Sequence, residues 1–281
     1  MKSYLPFALT FLFLAFLFYF VPFKELFQTL SNISLLNFSL ALFFYLLSQL
    51  LRTLRWSLFL KGYSFKDLFL VNSANIMLNN LLPARTGELS WFYYTKRLGM
   101  DFSTSLLTFA VARLYDLTAL GFLLSLSLSI ELPFLTLFAL LVFLLSLFMH
   151  KLHILLPSYK KLKDIKEFLG KNINTTLSLM LFLLSLLSQS SKFVSFLFLL
   201  SLYQKDLYKL FIAFAGGEIS SVLPIHSFMG FGSYELAFSL PLKLLGESLK
   251  EWLKLGFTFH SFLLVSSLIF GVPSMLLLSR R

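Results

Sequence analysis

The stretch Asp67-Leu68-Phe69-Leu70-Val71-Asn72-Ser73-Ala74-Asn75-Ile76-Met77-Leu78-Asn79-Asn80-Leu81-Leu82-Pro83-Ala84-Arg85-Thr86-Gly87-Glu88 decides how this chain is read. It starts as an apolar helix, carries Asn72, Asn75, Asn79 and Asn80, and breaks at Pro83. Proline has no N–H to donate and disfavours helix at the residue before it. A second short helix is expected over about 88–98. The run 67–82 falls short of the roughly 20 apolar residues that cross about 30 Å of hydrocarbon. A counterpart follows at 207–223, with Gly216, Gly217, Glu218, Ser220 and Ser221, a break at Pro224, and a short helix over about 232–245. Both read as re-entrant hairpins, since irregular backbone at membrane depth is tolerated only where protein or a water-filled cavity satisfies it.

Around these hairpins lie six blocks of spanning length: 4–23, 35–51 (running on through Trp56 to 60), 103–130, 132–149, 175–203 and about 252–278. The first has the short basic start of a signal peptide (Lys2), but Val21-Pro22-Phe23-Lys24 follows it in place of a small-residue cleavage site, so it reads as a retained helix. The 281 residues are 58% hydrophobic and 13% charged, against about 45–50% and 25% in soluble domains. That excludes a soluble globular domain, a disordered chain and a disulfide-stapled scaffold. The net charge of +11 reads as loops facing anionic lipid and the cytoplasm, not as a nucleic-acid footprint, because the apolar residues come in membrane-length blocks. The absence of cysteine excludes thiol chemistry and thiolate metal sites.

Charge parity orients the spans. If 67–82 crossed fully, the loop with Lys151, Lys160, Lys161, Lys163, Lys166 and Lys171 would fall outside, against the positive-inside tendency. If it is re-entrant, Lys96, Arg97, this basic loop (150–174) and Arg280-Arg281 all lie inside. The expectation is an all-α polytopic membrane protein of about six full transmembrane helices plus two re-entrant helical hairpins, a single integral membrane domain over 1–281 in the cell membrane, with both termini cytoplasmic. The alternative is eight plain helices.

The halves repeat. Leu46-Leu47-Ser48-Gln49 followed by Arg52 recurs as Leu186-Leu187-Ser188-Gln189 followed by Lys192. Lys66-Asp67-Leu68 recurs as Lys205-Asp206-Leu207, and Leu82-Pro83 as Leu223-Pro224. Gly87-Glu88 follows the first proline, and Gly232 and Glu235 the second. Glu88 precedes Arg113 by 25 positions, as Glu235 precedes His260. The expected topology makes repeat 1 (about 35–130) and repeat 2 (about 175–278) inverted, which with broken helices is the signature of many alternating-access transporters.

Arg52-x-x-Arg55-Trp56, the run Asn79 to Glu88, and Val111-Ala112-Arg113-x-x-Asp116 resemble the transmembrane region of lysylphosphatidylglycerol synthases, a flippase-type membrane domain also found as stand-alone proteins. Leu223-Pro224 through Gly230-Phe231-Gly232-Ser233-Tyr234-Glu235 is similar to that family's second glycine-rich break. His260 stands where the family often has arginine, and Ile225-His226-Ser227-Phe228-Met229 fills the second loop unusually. The resemblance implies movement of an aminoacylated or otherwise polar-headed lipid across the bilayer. The sequence reaches Arg281 just after the last span without the family's soluble aminoacyl-transferring domain, so a stand-alone member is expected and lipid aminoacylation itself is not implied.

The candidate substrate-binding residues are Arg85, Glu88, Arg113, Asp116, Glu218, Glu235, Asn79, Asn80, His226 and His260. A charge at a helix centre costs about 2.5–3.5 kcal/mol on insertion scales and calls for a partner or a wet cavity. Arg113 and Asp116, three apart on one face, read as a local ion pair, or as a phosphate-binding arginine with its orienting acid. Arg85 suits phosphate through its planar fork, or caps the hairpin's carbonyls or snorkels to the interface. Glu88 caps the second short helix or meets a cationic headgroup. Glu218 and Glu235 are counter-charges, for Arg113 or for each other's hairpin, or contacts for a cationic headgroup or a proton. Asn79 and Asn80 line a hydrophilic track or make interhelical hydrogen bonds. His226 and His260 read as packing residues before proton or metal roles, and His150 and His153 as weak metal spacing. Arg52, Arg55 and Trp56 read as an interfacial anchor, and 160–171 as an amphipathic surface segment.

No phosphate loop, HExxH or G-x-S-x-G is present, so no enzyme, cofactor or catalytic residue is expected. The reading is a lipid flippase or scramblase, with a membrane lipid as substrate, no nucleic-acid partner, and room for a homo-oligomer or a separate lipid-modifying enzyme. The alternatives are a membrane enzyme acting on a lipid headgroup or polyprenyl-phosphate sugar, and a small-solute secondary transporter.

Overall fold

A computed structural model describes residues 11, 12, 15, 18, 19, 21–155, 166, 167, 170, 173–201, 206–220 and 227–280. Among these residues there are ten α-helices and no strand. They are α1 (Phe23–Ser31), α2 (Leu35–Phe59), α3 (Phe65–Leu81), α4 (Leu89–Arg97), α5 (Phe102–Leu128), α6 (Leu135–Phe148), α7 (Thr175–Leu200), α8 (Leu207–Ser220), α9 (Ser233–Leu244) and α10 (Leu249–Ser279). Short 3-10 segments sit at Pro83–Glu88, Met149–Leu155 and Phe228–Gly230.

Four helices, α2, α5, α7 and α10, are long and apolar enough to cross a bilayer. At 1.5 Å per residue, the 25 residues of α2 reach about 37 Å. Large side chains such as Leu137, Leu141 and Phe148 of α6 stand exposed, as lipid-facing residues do. The chain is an all-α polytopic membrane protein. The block at 132–149 is shorter than expected: α6 has 14 residues and gives way to 3-10 turns at Met149. The first block, 4–23, and the segment 160–171 lie largely outside the described residues.

The chain divides into two compact units, each drawing on both repeats. One comprises Leu47–Phe69 and Thr95–Ser190. Here α5 packs on α6, and Val111, Tyr115, Ala119, Met149, Ile173, Leu181 and Phe182 form the core. The Phe182 ring meets Phe122 and Phe143 edge-on, at 5.6 and 5.5 Å between centroids. The other comprises Met1–Leu46, Leu70–Tyr94 and Ser191–Arg281, in which α9 packs between α8 and α10.

Lipid tails are as apolar as leucine, so small residues and interhelical hydrogen bonds carry much of the helix association. In the first-described unit, Ser188 Oγ donates to the Ser48 carbonyl oxygen at 3.0 Å, and the two hydroxyls are 3.0 Å apart. Arg55 of α2 reaches Ser185 of α7 in the same unit, so position rises along α2 as it falls along α7. In the other unit, Ser195 Oγ donates to the Ala41 carbonyl and Asn37 Nδ2 to Ser201 Oγ, in the same sense. The repeat-mates α2 and α7 are therefore antiparallel, and they touch at Ser48 and Ser188, the matched residues of the repeat.

The short helices fold back on each other as hairpins, α8 against α9 in the second; residues 221–226, with Pro224, lie outside the described residues. After Pro83, Gly87 lies against the backbone of Leu78 and Asn79, where a Cβ would collide with main-chain atoms. Asn75 Nδ2 donates to the Gly87 carbonyl at 3.2 Å and to Ser90 Oγ at 3.1 Å, tying the start of α4 beside the end of α3. In the second hairpin, a Cβ on Gly217 would stand 2.6 Å from the Tyr234 ring. The 3-10 turns Pro83–Glu88 and Phe228–Gly230 pack on each other, so the two hairpins meet there.

Candidate functional site

The first break carries one ion pair. Arg85 takes a left-handed backbone, φ 57°, which a non-glycine residue adopts uncommonly. Its guanidinium is buried and donates to the Glu88 carboxylate three residues on. The Glu88 side chain is 28% exposed. The turn thus supplies both partners itself and presents the acid outward. Asn79 and Asn80, on the last turn of α3, are half-buried, and Asn79 Oδ1 is buried with no hydrogen-bond partner among the described residues.

The second break carries two pairs held by other helices. Glu235 is fully buried at the start of α9. Its Oε2 accepts the Gly232 N–H at 2.7 Å, and its Oε1 lies 2.7 Å from His260 Nδ1 of α10. This joins an acid at a helix start to a partner on a neighbouring helix. The Tyr234 ring stacks on the His260 imidazole at 4.6 Å, and its hydroxyl lies in the field of Glu218 and Glu235. Glu218 Oε2 accepts from Lys192 Nζ of α7 at 2.7 Å. His226 lies outside the described residues.

The remaining candidates sit in the unit built on α5. Asp116 is not paired with Arg113 as the three-residue spacing suggests. Arg55 of α2 brings its planar fork to both carboxylate oxygens, Nη1 to Oδ1 at 2.6 Å and Nη2 to Oδ2 at 3.0 Å, a geometry stronger than a single contact. Nη1 also donates to Ser185 Oγ at 2.5 Å. The Arg113 guanidinium lies over the Phe109 ring at 5.0 Å and acts on Asp116 only through its field. This also corrects the interfacial anchor: Arg55 and Trp56 are buried, 1% and 4% exposed, with the indole stacked on Phe109. Glu218 and Glu235 are answered by Lys192 and His260 of their own unit. His150 is a packing residue, buried with Nδ1 near the Leu147 carbonyl and Ser178 Oγ.

Sequence reasoning missed Arg55, Lys192 and Tyr234 as site residues. For Lys192 the signal was there: it is the single charge in 175–203, and Glu218 is the single acid in 207–223, so each needed a partner. Tyr234 carried no such signal, because a buried tyrosine is ordinary core.

These features are a polytopic helical membrane fold, two hairpins meeting at their 3-10 turns, and acids paired within the protein. No curated protein matches the chain. The family model described as the lysylphosphatidylglycerol synthase TM region matches residues 4–271, nearly the whole chain, and the protein therefore belongs to that family of membrane-lipid-related domains.

Proposed function

We propose that this protein is a translocase that moves a polar-headed lipid across the cell membrane, with both hairpins re-entrant, entering the bilayer from opposite faces, and both termini cytoplasmic. The observation that carries the reading is the contact between the two turns, Pro83–Glu88 and Phe228–Gly230, with the Arg85–Glu88 pair at the junction. Opposed half-helices that meet at their breaks make a polar point midway through a bilayer, where a headgroup needs one.

The chemistry follows from pair exchange. A headgroup with a phosphate and an amine carries the same two charges as Glu88 and Arg85. Phosphate takes the Arg85 fork, the amine takes Glu88, and the Asn79 Oδ1 acceptor gives the amine a second contact. Each step trades one ion pair for another, so no bare charge is left in a low-dielectric site. Glu88 is the entry side of this exchange because it is the partner that faces outward.

The test is reconstitution into vesicles with fluorescent zwitterionic, anionic and aminoacylated phospholipids, reading headgroup accessibility in each leaflet. Transport is expected, with Arg85→Gln slowing all phosphate lipids and Glu88→Gln slowing cationic-headed lipids most. No movement of any of these lipids sinks the reading. A chemically altered lipid after incubation replaces it with an enzyme.

A further inference from the structure

The second hairpin contains a titratable pair that pair exchange with a lipid does not use. Glu235 is fully buried, and both of its oxygens are committed: Oε2 accepts the Gly232 N–H, and Oε1 faces His260 Nδ1. A contact of 2.7 Å between Nδ1 and Oε1 requires one proton on that line. The protonation that remains free to vary is at His260 Nε2. With Nε2 bare, the pair carries one net negative charge inside the protein. With Nε2 protonated, the pair is imidazolium against carboxylate and neutral overall. Histidine is the side chain whose ordinary charge change falls in the physiological range.

Among the described residues, the other charged groups near the pair sit in ion pairs of their own. On α9, Tyr234 lies against the imidazole. From α8, Glu218 acts on Tyr234 and is bound in turn by Lys192 of α7. The turn packed against Phe228–Gly230 brings Arg85 and Glu88, which hold each other. Lys192–Glu218 and Arg85–Glu88 are neutral pairs that would be left with a net charge if either member changed charge. The Glu235–His260 pair changes charge at Nε2 without giving up the bond at Nδ1.

We infer that the Glu235–His260 pair is a proton-binding site and that proton exchange at His260 Nε2 is coupled to movement of the lipid. This rests on the proposed lipid translocation and names its driving ion. Nε2 takes a proton from one aqueous face and releases it to the other as the hairpins rearrange, and the N–H bond at Nε2 is the one bond made and broken.

Two measurements test it. In proteoliposomes of zwitterionic phospholipid with a trace of fluorescent aminoacylated lipid, a one-unit pH gradient is expected to shift the steady-state leaflet distribution by up to about tenfold, the limit for one coupled proton. His260→Gln is expected to remove that shift. A wild-type distribution that ignores the gradient while lipid still moves overturns the coupling and leaves translocation standing. If no lipid moves, translocation fails, and the second measurement decides the proton site on its own. Nitrogen NMR of histidine-labelled full-length protein in detergent over a pH series from about 5 to 8, with the His260 signals assigned by their loss in His260→Gln, is expected to show Nε2 passing between its bare and protonated states while Nδ1 keeps its hydrogen-bonded shift. An Nε2 that holds one state across that range refutes the site.

Discussion

The two hairpins come from one template and hold their acids differently. In each, a leucine-proline break is followed by glycine and then glutamate. Glu88 is paired by Arg85 of its own turn and is part-exposed, whereas Glu235 is fully buried and paired by a histidine 25 positions away on another helix. The first hairpin can give up its internal pair without unpacking a helix. The second cannot, because His260 and the Gly232 N–H both depend on Glu235. Two hairpins with the same sequence template thus hold their acids in different ways, one by a part-exposed pair within its turn and the other by a buried pair between helices.

The contrast breaks most directly by removing each acid. Glu235→Ala leaves the His260 Nδ1 and a backbone N–H unpaired in the interior and is expected to lower stability by about 3–5 kcal/mol, the range for breaking a buried pair. Asp116→Ala, which strips both bonds from the Arg55 fork, is expected to match it. Glu88→Ala, where water reaches the site, should cost only about 1–2 kcal/mol. Unfolding in detergent, followed by heat or denaturant, checks all three, and equal losses at positions 88 and 235 would remove the distinction.

Steric substitutions sharpen it further. A methyl at Gly87 meets the main chain of Leu78 and Asn79, which has no rotamer to yield. A methyl at Gly217 meets the Tyr234 ring, which can tilt at the expense of its stack on His260. Overpacking typically costs about 1–3 kcal/mol, with Gly87→Ala expected at the upper end and Gly217→Ala at the lower. The same unfolding assay reads the order, and a reversed order would mean that the first hairpin is the looser one. Smaller still is the contact of the repeat-mates: a double-mutant cycle on Ser48→Ala and Ser188→Ala should give a coupling of about 0.6 kcal/mol, the average for interhelical hydrogen bonds in a membrane protein.

The smallest effect lies at the loop before α10. Hydrogen bonding to Lys209 holds the Glu247 carboxyl below its ordinary value. A depressed folded value means that the pair stabilises the fold above the ordinary carboxylate pKa and is lost as pH falls through the folded one. The stability difference between wild type and Glu247→Gln is therefore expected to be present at neutral pH and to shrink as the pH drops below about 4.3. Because the pair is solvent-accessible, the difference stays near the limit of measurement. A difference that grows on acidification would reverse the assignment.

Much of this protein is written in one dimension. Apolar runs set the lengths of α2, α5, α7 and α10, because a helix must bond its own backbone wherever water is missing. Prolines 83 and 224 mark the breaks, and the recurrence of Leu-Leu-Ser-Gln marks two halves whose helices α2 and α7 run antiparallel and touch at matched serines. What tertiary structure alone decided is who neutralises whom. Spacing along α5 pointed Asp116 at Arg113, yet the carboxylate is taken by Arg55, 61 positions earlier in the chain. Lys192 and Glu218 found each other across two helices, and His260 closed on Glu235. An ion pair depends on the distance between charged atoms and the water excluded around them. Helix packing fixes both, and sequence separation fixes neither.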